Sequence, residues 1–142
     1  MIFTILAGMI LPVQALLNAK MGKAIQSPVY ASLVSFIVGS IALFIYAAFT
    51  KVNFSNITNS FSLSYSVWLA GILGAFYVTA VLILTPKLGA TLTFSLIIAG
   101  QLGIAIFLDH FGLLGVSTHL FNWYRFFGIM LILIGVVLIR LF

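Results

Sequence analysis

Gln14 and Asn18 stand four residues apart in "ILPVQALLNAK", and Gln101 interrupts "TFSLIIAGQLGIAIFLDHFG". Positions four apart share one helix face, so the first pair offers two primary amides side by side. Each amide carries two donor hydrogens and an acceptor oxygen. Among Ile, Leu, Ala and Phe these groups need partners. An interhelical hydrogen bond, worth about 0.6–2 kcal/mol, would satisfy them, and so would a polar solute in a substrate cavity. Pro12 precedes the pair; a proline inside a helix removes one backbone hydrogen bond and tends to kink it. The expectation is a carbonyl freed beside Gln14. Tyr77 and Ser95 join Gln14, Asn18 and Gln101 as candidate substrate-binding residues.

Asp109 is the only acidic residue among 142. One reading makes it a gate or a proton-linked carboxylate. The other makes it a helix-end carboxylate at the water boundary, paired with Arg125, Lys51 or His110. A carboxylate is better placed at a helix N-terminus than at a C-terminus, so its position calls for a specific partner. Asp109, His110 and Arg125 form the candidate gating or ion-pair set. If transport is coupled to protons, the residue types present leave Asp109, His110 and His119, besides the termini, as the candidate carriers.

A single carboxylate supplies neither an acid/base pair nor a two-carboxylate metal site. No glycine-rich phosphate loop, nucleophile elbow or zinc motif is present, and there is no cysteine. The expectation is a protein that is not an enzyme and takes no metal or cofactor.

The elements that hold these residues follow from composition. The chain is 64% hydrophobic and 5% charged, with a mean hydropathy of +1.35. Soluble domains carry about 25% charged residues, so lipid is the solvent. The net charge of +5 comes from six basic residues scattered at the ends of apolar runs. That is the positive-inside pattern rather than a phosphate-binding patch, and it excludes nucleic acid as the expected partner. Lys20 and Lys23 follow the first apolar run, whereas a signal peptide has its charge in front. The run reads as a retained span.

A spanning helix needs about 20 mostly apolar residues. Five fit: 2–19, 28–50, 65–85, 88–108 and 122–141. The fold class is all-α, an integral membrane bundle in a single domain, 1–142. "NAKMGKAIQSP", "TKVNFSNITNSFSLS", "TPKLGA" and "DHFGLLGVSTHLFN" carry the loop signals, and Pro86 with Gly89 predicts a tight hairpin between spans 3 and 4. Asn56-Ile57-Thr58 is a formal glycosylation sequon. Lys20, Lys23, Lys87 and Arg140 fall on one side and Lys51 and Arg125 on the other, which favours the N-terminus outside and the C-terminus in the cytoplasm. Tyr46, Tyr65, Trp68, Trp123 and Tyr124 sit near the outer boundary as an aromatic belt. At 1.5 Å per residue, Gln14 lies about 18 Å from the outer end of its span and Gln101 about 19 Å from the inner end of its own. Both fall near mid-bilayer, in one layer if spans 1 and 4 are neighbours.

Small residues recur every fourth position: Ala31, Ser35 and Gly39; Gly71, Ala75 and Thr79; Ser95, Ala99 and Gly103; more sparsely Gly128 and Gly135. Such strips let backbones approach closely in lipid. Packing within the chain uses them, and one is expected to remain for a second copy.

The stretches "PVQALLNAKMGKAIQSPVYASLVSFIVGS", "GILGAFYVTAVLILTPKLGATLTFSLIIAGQLGIAIFLDHFGLLG" and "RFFGIMLILIGVVLI" resemble the YdcZ-like proteins. These are a five-span branch of the drug/metabolite transporter superfamily, related to the EamA-type permeases and more distantly to the small multidrug resistance proteins. The resemblance covers nearly the whole chain. It implies a multi-pass protein of the bacterial inner membrane with a transporter-like fold. EamA-type permeases resemble two such five-helix units fused, so one unit is half of an inverted-repeat transporter. Small multidrug relatives exchange protons on a buried glutamate in their first span. This sequence has no glutamate, and Gln14, at the comparable depth, cannot titrate.

The functional expectation is an exporter of small metabolites or drugs working as a homodimer, or as a heterodimer with a second five-span half. The alternative is a non-transporting membrane subunit or assembly partner, supported by the scarcity of ionisable groups that usually mark transport pathways.

Overall fold

The structure is a computed structural model that describes residues 1–53, 55 and 64–142. Among them are five α-helices: α1 (Ile2–Ala24), α2 (Pro28–Phe49), α3 (Leu69–Leu88), α4 (Ala90–Phe111) and α5 (Trp123–Leu141). Two 3-10 turns, Tyr65–Trp68 and Leu113–Gly115, accompany them, and there is no strand among the described residues. The sequon Asn56-Ile57-Thr58 lies outside them. Each helix, with Tyr65–Trp68 counted into the third, is long and apolar enough to cross a membrane. Only 6–11% of each spanning window is buried inside the chain. Most apolar side chains therefore face outward, toward lipid or another subunit.

The helix ends differ from the expected spans for local reasons. α1 continues past the apolar run to Ala24. Ala, Lys and Met are good helix formers, and Lys23 in the last turn favours the negative end of the helix dipole. The break comes at Gln26, in the left-handed region at φ 53°. Ser27 then caps α2 by accepting from the Tyr30 N–H at 3.2 Å, and Pro28 starts the helix. Pro86, expected in a loop, lies inside the last turn of α3. Its φ is helical, and so near the end it costs the helix one bond, that to the Leu82 carbonyl. One residue, Gly89, separates α3 from α4, at φ 82° and ψ 155°, a region essentially confined to glycine.

Pro12 likewise sits within a continuous α1. The carbonyl that loses its donor is four residues back, on Gly8, more than a turn from Gln14. The proline does not deliver a carbonyl beside Gln14, contrary to the expectation.

The chain divides into two compact units, Met1–Lys87 and Leu88–Phe142. In the first, α1 and α2 cross at small residues. A Cβ added at Gly22 would stand 3.5 Å from the Ala31 Cβ, and Ala31, Ala15 and Asn18 are buried. α3 reaches α2 through side chains, with Gly74 against the Phe36 ring. In the second unit α4 packs on α5. Thr93, Ala99 and Val136 are buried there, and the Thr93 hydroxyl donates to the Gly89 carbonyl at 2.7 Å. α4 ends at Asp109–Phe111, and Gly112 turns the chain at φ 60°. Asn122 caps α5, accepting from the Tyr124 N–H at 2.8 Å.

Parts of the small-residue strips are used in this way and parts are not. Ala31 lies at the α1–α2 crossing, whereas Gly39, Gly71, Gly103, Gly128 and Gly135 have open space where a side chain would go. Ala75 is exposed.

Candidate functional site

In the first unit, α2 carries serines on two neighbouring faces. Asn18 Nδ2 donates to Ser35 Oγ at 3.1 Å, tying α1 to α2. Thr79 Oγ1 donates to Ser32 Oγ at 3.0 Å, tying α3 to α2. Ser32 Oγ in turn donates a hydrogen bond to the Pro28 carbonyl, also at 3.0 Å. A hydroxyl that bonds its own helix in this way needs no further partner in lipid. Asn18 is thus buried and bonded.

Gln14, one turn away on the same α1 face, is exposed within the chain. It lines a cleft of about 250 Å³ with Ser35, Ser40, Gly39, Phe36, Leu43 and Val78. None of the hydrogen bonds among the described residues involves the Gln14 amide, so its donors and acceptor are open to the cleft. Gly39 leaves the wall of that cleft smooth. Tyr77 is half-buried on α3, while its neighbour Val78 contributes to the cleft.

In the second unit, Arg125 Nη1 meets Asp109 Oδ2 at 3.3 Å. The pair is about one third exposed, Arg125 at 39% and Asp109 at 32%. Of the three partners that the sequence offered for Asp109, the structure selects Arg125. His110 turns elsewhere: its Nδ1 accepts from the Phe121 N–H at 2.9 Å. The Asp109 carbonyl accepts from the His119 N–H at 2.8 Å. These bonds fasten the α4–α5 connection to the last turn of α4. The ion pair also lines a cavity of about 330 Å³ whose remaining wall is apolar, from Leu102, Ala105 and Ile106 on α4 to Gly128, Ile129 and Ile132 on α5. At the start of α5, Phe121, Trp123, Phe126 and Phe127 form a cluster of edge-on and tilted rings, with centroids 5.8–6.3 Å apart.

Gln101 is exposed on α4 and makes no hydrogen bond among the described residues. Ser95, six residues earlier, is half-buried. The candidate residues therefore group by unit: Gln14, Asn18 and Tyr77 in the first, Ser95, Gln101, Asp109, His110 and Arg125 in the second. The sequence reading missed Ser32, Ser35, Ser40 and Thr79 as polar partners. Ser35 and Thr79 were visible only as small strip members, and the signal that would have found them is a serine or threonine facing a neighbouring span that carries an amide.

The family described as "Putative inner membrane exporter, YdcZ" matches this chain over residues 1–138. The chain belongs to the YdcZ family. With its five membrane-length helices, this YdcZ-family member is a multi-pass protein of the inner membrane. No curated protein and no solved structure matches it.

Proposed function

We propose that the protein exports small metabolites or drugs as a dimer of five-helix units, with the Gln14 cleft as part of the solute path. The observation that carries this reading is the unpartnered Gln14 amide beside Ser35 and Ser40. An amide near mid-bilayer with no partner is costly, and a polar solute satisfies it without the larger cost of a buried charge. Asn18 holds the cleft in place through Ser35. The family description supports export, and the outward-facing apolar surface of every helix supports a further subunit.

Solute sites in inverted-repeat transporters lie at the repeat interface near the midplane, which supports a pathway completed by a second copy. The distribution of basic residues supports the N-terminus outside and the C-terminus in the cytoplasm. A thermal-shift screen on purified protein identifies the solute, and flux is then measured in proteoliposomes. Gln14→Leu is expected to abolish flux while leaving insertion and melting temperature unchanged. Full flux from that variant removes the cleft from the path. Absence of flux from the intact homodimer, together with co-purification of another five-span protein, supports the partner-subunit reading instead.

A further inference from the structure

A cavity of about 570 Å³ in the first unit lies at the lysine-bearing ends of α1 and α3, away from the Gln14 cleft. Its walls are apolar: Leu16 and Ala19 on α1, Leu82 and Ile83 on α3, with Pro28 and Pro86. Three lysines, Lys20, Lys23 and Lys87, line the same cavity. Asp109 is the only acidic residue in the sequence and belongs to the other unit, so no carboxylate in Met1–Lys87 neutralises these charges. Thr85, in the same wall, is 2% exposed. Its hydroxyl is the one buried side-chain polar atom among the described residues with no hydrogen-bond partner. A buried hydroxyl normally finds one.

We infer that this cavity binds an anionic phospholipid, with the headgroup phosphate among Lys20, Lys23 and Lys87 and an acyl chain along Leu16, Leu82 and Ile83. Lysine stems cover apolar surface while their ammonium groups stay at the headgroup level. Basic pockets between membrane helices suit anionic headgroups. The Thr85 hydroxyl has a proton to donate toward the headgroup. A free inorganic anion would meet the charges and leave the apolar walls unused, which favours the lipid as the source.

The test is lipid retention by native mass spectrometry of the purified, detergent-solubilised full chain, offered phosphatidylglycerol and phosphatidylcholine with the same acyl chains. Wild-type protein is expected to keep one phosphatidylglycerol per chain in clear preference to phosphatidylcholine. Each lysine changed to glutamine within the set K20Q, K23Q, K87Q is expected to lower that preference about fivefold. Ile83→Trp narrows the cavity without touching a charge, and it is expected to lower retention as well. It decides the matter if the triple variant fails to insert. Lys51→Gln, beyond the Phe49 end of α2 whereas the cavity takes Pro28 at the other end, is expected to retain lipid as the wild type does. Equal retention of the two lipids, or unchanged retention in both cavity variants, overturns the inference. So does stabilisation by inorganic phosphate alone that equals stabilisation by phosphatidylglycerol, since that makes the site one for free anions.

Discussion

Arg125 and Asp109 meet across 3.3 Å with each charge at the wrong end of its own helix. Asp109 lies in the last turn of α4 and Arg125 in the first turn of α5. A helix C-terminus disfavours an anion, and an N-terminus disfavours a cation. The pair holds because the two unfavourable placements are solved by each other, and because the connection is fastened through His110 and the Asp109 carbonyl.

Exchanging the two charges follows from this. Asp109→Asn or Arg125→Gln alone is expected to lower stability by up to about 1 kcal/mol, as for partly exposed pairs. The exchanged protein, Asp109→Arg with Arg125→Asp, keeps the pair and places each charge at its favoured helix end, worth about 0.3–1 kcal/mol each. Its melting temperature in detergent is expected to match or exceed that of the wild type. A double exchange less stable than either single variant contradicts the account.

The Asn18–Ser35 bond predicts a coupling that can be measured directly. Asn18→Ala and Ser35→Ala each remove one partner of the same interhelical bond. A double-mutant cycle on unfolding is expected to give a coupling of about 0.6–2 kcal/mol. Gln14→Ala, whose side chain has no hydrogen-bond partner among the described residues, is expected to couple with neither. Additive behaviour of Asn18 and Ser35 removes the bond from the account of how α1 is held.

Five helices were legible in the sequence because lipid demands about 20 apolar residues per span, and a composition of this kind admits little else. The ends were less legible. Hydropathy marks where the hydrocarbon stops, whereas helix ends obey capping, and so α1 runs on through Lys20 and Lys23 to Ala24 and α3 through Pro86. Among the candidate residues, the need of Asp109 for a partner was legible from its helix end, whereas the choice of Arg125 over Lys51 and His110 was not, since the sequence places all three near the same boundary. The roles of Gln14 and Asn18 were not separable in sequence. They share a face, and only the position of Ser35 on α2 decides that Asn18 is bonded while Gln14 stays open.

Gly112 is required twice over. Its φ of 60° favours glycine, and a Cβ there would stand 2.7 Å from Thr118 Oγ1. Gly112→Ala is expected to destabilise the α4 end by about 1–2 kcal/mol from backbone strain alone, with the steric contact added. At Gly89 the backbone strain acts without any contact within 4 Å. Gly112→Ala combined with Thr118→Gly is therefore expected to recover the steric part and to leave the strain. Hydrogen exchange at Phe121 and His119 reads the loss, since their amides depend on this end of α4.

Gln101 and Gly103 carry the last prediction. Gln101 is exposed without a hydrogen bond among the described residues, and Gly103, two residues on, has open space where a side chain would be. In hydrocarbon a bare amide is costly, and a glycine without a neighbour invites close approach of another backbone. Both needs are met if a second copy packs near this part of α4, with the amide bonding across the interface or reaching solute there. Gly103→Leu is expected to weaken the dimer, seen as a loss of energy transfer between labelled copies in liposomes, while the monomer keeps its melting temperature. Gln101→Leu is expected to leave insertion intact and to abolish flux of the solute identified by screening. If energy transfer is unchanged by Gly103→Leu, this face of α4 is not the dimer contact. If Gln101→Leu carries full flux, the amide serves neither solute nor an interface that transport depends on.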